Sequence, residues 1–157
     1  MVESTAHARG AQRFSAAVSR GLRESAVIAL AVAGLVLLVA LATYNTTDPG
    51  WSKATGSTII HNRIGPVGAW FADLLFFVFG RPAFLFPVMI GLVTWSLFRS
   101  GRKAEQPSRA NTAVRITGFV LLVVASCGLA TLHWSGAGMP DTAGGAIGET
   151  VGTGLRS

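Results

Sequence analysis

The residues able to move protons, hold metals or attack substrates are few: three histidines, one cysteine and seven carboxylates in 157 residues. His7, His61 and His133 sit in three separate segments, without the close spacing that a shared metal ion favours. A single cysteine, Cys127, excludes an internal disulfide framework and any zinc or iron–sulfur site built on several thiolates. It lies inside a long apolar run, where a small apolar filler is the simplest reading. Neither Cys127 nor His133 has an acid or base at helical spacing, which disfavours an intramembrane enzyme. No G-x-x-x-x-G-K-[ST] string cradles a nucleotide phosphate, and neither H-E-x-x-H nor G-x-S-x-G occurs. On these residues the chain is no enzyme by itself and needs neither cofactor nor metal.

Asp73 is the one charge that invites a functional reading, because an acid inside an apolar stretch is a candidate site by default. The competing reading is structural, with the carboxylate reaching water from an interfacial helix or pairing with Arg81. The structural reading is preferred, since no proton or ion path accompanies the acid. A small transporter or channel subunit is the alternative function. It is disfavoured because the clearest apolar runs carry only Ser, Thr and a terminal His as polar groups.

The elements that must position these residues belong to a bilayer. Charged residues are 13% of the chain, half of the chain is hydrophobic, and the mean hydropathy is +0.51; a soluble domain carries about 25% charge. Glycine, at 19 residues, is better tolerated where membrane helices pack closely. A spanning helix needs roughly 20 apolar residues. Ala26–Tyr44, inside a charge-free stretch, and Ile116–Trp134 meet that requirement. Val67–Phe98 is too long for one straight span and is broken at Arg81-Pro82. Proline disfavours helical angles in the residue before it and suits the first turn of a new helix. This predicts a short interfacial helix over 67–80 and a span over 82–98, with a single kinked, tilted helix as the competitor. The fold class is therefore all-α and polytopic, with three transmembrane helices at 25–44, 82–98 and 116–134.

Lys/Arg bias sets the expected orientation. Arg9, Arg13, Arg20 and Arg23 precede the first span, and Arg99, Arg102, Lys103, Arg109 and Arg115 lie between the second and third. The tail 1–24 and the loop 99–115 are expected to be cytoplasmic, with 45–66 and 135–157 outside. On a helical wheel the four N-terminal arginines fall within about 80° of one another, with Ala11, Phe14, Val18 and Leu22 opposite. This makes Arg9, Arg13, Arg20 and Arg23 candidate lipid-surface residues, against a plain solvated basic tail that only enforces orientation. A signal-peptide cleavage after Ala40-Leu41-Ala42 is disfavoured by the long preceding tail and the later spans. The Gly/Ala-rich segment 135–157 shows no packed-core pattern and reads as a connector in a truncated chain. The small-x-x-x-small matches, such as Gly65/Ala69 and Gly68/Ala72, barely favour oligomerisation.

The loop after the first span is the richest in turn signals. Asp48-Pro49-Gly50 suits a tight turn, with Gly50 accepting positive φ, and Trp51 anchors it at headgroup level. The string Asp48-Pro49-Gly50-Trp51-Ser52, followed by Asn62, Gly65, Gly68-Ala69, Ala72-Asp73, Phe76, Gly80 and Ala83, resembles the N-terminal membrane domain of FtsK/SpoIIIE-type bacterial DNA translocases. The resemblance covers about residues 20–100 well and the rest more loosely.

That resemblance implies a protein of the bacterial inner membrane at the division septum. Its membrane domain would anchor and assemble the machine, help recruit other septal division proteins, and form a homo-oligomer in the full-length protein. It also makes Asp48, Pro49, Gly50, Trp51, Ser52, Asn62 and Asp73 candidate partner-docking residues. Two departures stand out: the family has a fourth span, and its DNA-pumping ATPase follows the membrane domain. Neither is visible in these residues, so DNA is expected as a partner only through the absent motor. The formal charge of +6 is largely accounted for by the two orienting basic segments.

Overall fold

The computed structural model describes residues 2–53, 59–100 and 109–154, of which 2–17, 19, 100, 109 and 110 are described by backbone alone. Among the described residues, five α-helices and one 3-10 turn follow in order: α1 Val2–Ala42, α2 Pro66–Phe79, the turn Arg81–Phe84, α3 Leu85–Ser100, α4 Arg109–His133 and α5 Gly145–Gly154. No strand occurs among the described residues. Arg20–Ala42, Arg81–Arg99 and Asn111–His133 are long and apolar enough to cross a membrane, and α2 is a shorter apolar helix.

The large apolar side chains point outward. Ile28, Leu35, Leu92, Leu121 and Leu129 are all exposed, while the central cluster is small: Ala40, Leu41, Ala72, Phe76 and Ala83. This inversion fits lipid as solvent, because apolar surface gains nothing by leaving hydrocarbon and small residues let backbones approach. Gly34 does so between α1 and α3, where a Cβ would stand 2.9 Å from Ile90.

Helix α1 runs without a break through the basic tail into the span. The side chains of Arg9 and Arg13 lie outside the described residues. Arg20 is exposed, and Arg23 donates from its guanidinium to the Leu97 carbonyl of α3. Part of the expected lipid-facing set therefore ties α1 to α3.

Helices α2 and α3 are separate. Proline opens α2 at its first turn, where its missing N–H is no loss, and Gly65 before it has φ +80°. The break falls at Gly80, one residue ahead of the Arg81-Pro82 expected to cause it. Gly80 takes φ +62°, and a Cβ there would run into the Ala143 carbonyl. The Arg81 amide donates to that carbonyl at 2.8 Å, so the corner is backbone against backbone.

Residues 135–154 of the expected connector are packed, against what the composition predicted. Gly145, Gly148 and Gly152 are buried in α5. A Cβ at Gly148 would lie 2.5 Å from the Cys127 carbonyl, and one at Gly145 2.5 Å from Val78. Gly144, Gly148 and Gly152 all face the turn of α4 around Cys127 and Thr131, so α5 packs closely on α4. The glycines let this weak helix former pack, and the packing holds it helical. Cys127 is fully buried beneath it, and its thiol donates to the Phe79 carbonyl at 3.3 Å.

Candidate functional site

The end of α1 leaves carbonyls without intrahelical partners, as every helix does. Thr43 and Tyr44 amides return to Val39 and Leu41, and the Asn62 side-chain amide donates to the Ala40 carbonyl at 2.8 Å. Asn62 Oδ1 then accepts the Ile64 amide at 3.0 Å. Gly68 of α2 sits against this pair, where a Cβ would be 2.7 Å from Asn62 Oδ1. One side chain thus caps α1 and seats α2.

Asp48 organises the loop between them. Its carboxylate accepts the His61 amide at 2.8 Å, the His61 ring Nδ1 at 2.9 Å and the Asn62 amide at 2.8 Å. An ionised carboxylate only accepts, so this contact requires the proton on His61 Nδ1. Burial by itself pushes the Asp48 carboxyl up, but the His61 and Asn62 donors together outweigh it and hold the group below its ordinary range. Asn45 Oδ1 closes the preceding turn by accepting the Thr47 amide at 3.0 Å.

Asp73, on α2, closes the other side. Its Oδ1 accepts the Tyr44 hydroxyl at 2.8 Å and its Oδ2 the Ser52 amide at 2.6 Å. It is 4% exposed, so the expected water contact is absent. Arg81, the other expected partner, instead lies over the Trp134 ring at 5.7 Å. Gly50 explains the tightness: a Cβ there would stand 2.5 Å from Asp73 Cγ. Its φ is not positive, so glycine is required for close approach and not for the turn conformation the sequence suggested. Trp51 is 52% exposed and rests on Phe77 with ring centroids 5.3 Å apart. Tyr44 stacks at 4.9 Å on Phe76. Burial and the Asp73 carboxylate both raise the Tyr44 phenol well above its ordinary pKa.

The structure therefore brings together Asp48, Gly50, Trp51, Ser52, Asn62 and Asp73, with Pro49 inside the turn. Asp48, Asn62 and Asp73 face inward as braces, and Trp51 faces outward. Sequence reasoning missed Tyr44 and His61 as their partners. The available signal was a lone buried acid on α2 and a phenol at the far lip of α1.

The described chain matches the model of the 4TM region of the DNA translocase FtsK/SpoIIIE over residues 19–157. The chain belongs to that family. The FtsK-type relatives it matches include "DNA translocase FtsK" of Pseudomonas putida, 39% identical over 132 residues. That alignment covers 83% of this chain and 16% of the relative. The Pseudomonas aeruginosa protein of the same name is 39% identical over 137 residues, with the same two shares. The Vibrio vulnificus protein is 37% identical over 113 residues, 72% of this chain and 12% of its own length. The chain thus spans less than a fifth of these FtsK relatives. No solved structure matches. The chain is the membrane domain of an FtsK-type protein, and the motor is not evident in it.

Proposed function

We propose that this chain anchors and assembles an FtsK-type DNA translocase in the bacterial inner membrane at the division septum, without chemistry of its own. One observation carries the reading: Asp48, Asn62 and Asp73 are turned onto their own backbone and neighbours, and the loop they brace presents Trp51. A catalytic or ion-conducting carboxylate would face a cavity; these face donors. The braced loop, from Asp48 to Ser52 with Asn62 and Asp73 behind it, is the docking surface for other septal division proteins. Trp51 is its contact residue.

Arginine bias puts the N-terminus and the basic loop 99–115 in the cytoplasm, and the braced loop outside. Homo-oligomerisation belongs to the full-length assembly, and DNA is met through a motor beyond these residues. A fluorescent fusion carrying Trp51→Ala tests this reading. Septal fluorescence should fall while total membrane-inserted protein is unchanged; an undiminished septal band removes the docking role from the loop.

A further inference from the structure

A groove of about 450 Å³ runs between α3 and α4. Leu85, Val88 and Leu92 form one wall, Gly118 and Leu122 the other, and Ser96 and Arg115 are among the residues that line it. Ser96 is the lining residue furthest along α3, and Arg115 the earliest on α4, so both belong to the end nearest the α3–α4 connection. Phe119, which also lines the groove, meets Phe86 of α3 edge to face at 5.6 Å.

The dimensions are those of one leaflet. Leu85 to Ser96 spans about 16 Å of helix, close to half of a roughly 30 Å hydrocarbon core. Gly118 leaves the groove open, since a Cβ there would meet nothing within 4 Å. No carboxylate is among the described residues that line the groove, so a guanidinium faces an apolar slot with no anion supplied by these walls. Arg99, three residues beyond Ser96 on α3, adds a second positive charge toward this end.

We propose that this groove holds an anionic phospholipid, with an acyl chain between α3 and α4 and the headgroup phosphate on Arg115 and Ser96. A neighbouring helix would satisfy the apolar walls, but it would have to carry its own acid to Arg115. A lipid phosphate arrives at that level with its charge in place. A zwitterionic lipid carries an ammonium that offsets the attraction, so the headgroup is anionic. The inference holds for either orientation of the chain.

The test uses the chain in nanodiscs of equal phosphatidylcholine and phosphatidylglycerol, with retained lipids counted by native mass spectrometry. The wild type should retain phosphatidylglycerol in preference. Arg115→Gln should cut that preference roughly fivefold, the value of one basic residue at an anionic surface, and Arg115→Lys should keep most of it. Gly118→Leu should expel both lipids with helical content unchanged, because its side chain enters open space. Equal retention of the two lipids by the wild type, or an unchanged preference in Arg115→Gln, overturns the proposal. A lipid-free dimer that Gly118→Leu breaks assigns the groove to a second copy and overturns it as well.

Discussion

The Tyr44 hydroxyl donates to Asp73 Oδ1 at 2.8 Å, joining the exit of α1 to the middle of α2 across the whole intervening loop. The other oxygen of the same carboxylate takes the Ser52 amide. The carboxylate is thus a two-sided brace, and its removal should be felt on both sides.

Replacing Tyr44 by Phe deletes one donor and keeps the ring against Phe76. The expected cost is about 1 kcal/mol. Asp73→Ala should cost more, on the order of 2–3 kcal/mol, because it leaves the Ser52 amide and the Tyr44 hydroxyl, both half-buried, without their partner. Thermal unfolding in detergent measures both. The double variant should show a coupling of at least about 0.5 kcal/mol; strict additivity would deny the brace.

Tyr44 is the only tyrosine in the chain, so its titration can be read directly by phenolate absorbance. Its folded pKa is raised above the ordinary value of 10.0. The stabilisation linked to the neutral phenol is therefore complete below pH 10.0 and is lost as pH rises above it toward the higher folded value. Phenolate should appear later in the folded protein than in the denatured chain. Asp73→Asn should bring the transition back down; a wild-type midpoint at the denatured value contradicts the burial and the bond.

Asp48 runs in the opposite sense. Its folded pKa lies below the ordinary 3.8, so its contribution is present above that value and is lost as pH falls through the depressed one. Protease nicking between Asp48 and Asn62 should rise on acidification in that window. An Asp48→Asn variant should be nicked at neutral pH and should lose the acid dependence.

Glycines with and without neighbours should part company. Gly144→Ala places a Cβ into the Cys127 carbonyl and should cost about 1–3 kcal/mol by overpacking. Gly91→Ala meets nothing within 4 Å and should stabilise α3 by roughly 0.5–1 kcal/mol through helix propensity. Unfolding midpoints in the same detergent decide between them, and similar values for the two would refute the close α4–α5 packing.

The spans were legible because hydrocarbon thickness fixes the length of an apolar run, and Ile116–Trp134 or Ala26–Tyr44 cannot hide. The separation of α2 from α3 was legible at Arg81-Pro82, although the turning residue is Gly80, whose demand comes from Ala143 far along the chain. The pairing of Tyr44 with Asp73 was not legible. A single hydrogen bond between distant residues leaves no periodic trace, and Tyr44 at a membrane lip has an adequate reading without it. Segment 145–154 was misread for a related reason: its glycines oppose a helix locally, and only Cys127 and Thr131 of α4 make those glycines an advantage. Asp73 stood out as an acid in an apolar stretch and Asp48-Pro49-Gly50 as a turn, whereas their inward direction came from geometry.

The bonds of the braced loop all close between Ala40 and Asp73, whereas the Arg81–Ala143 bond joins parts made far apart in time. A ribosome releases the chain from its N-terminus, and N-terminal units generally fold first. The loop can therefore lock once α2 has emerged, before any of α4 exists. The corner at Gly80 must stay open until Ala143 arrives, so α5 docks last among these five helices, and a stalled or slowed synthesis beyond His133 would leave a finished loop on an unfinished bundle.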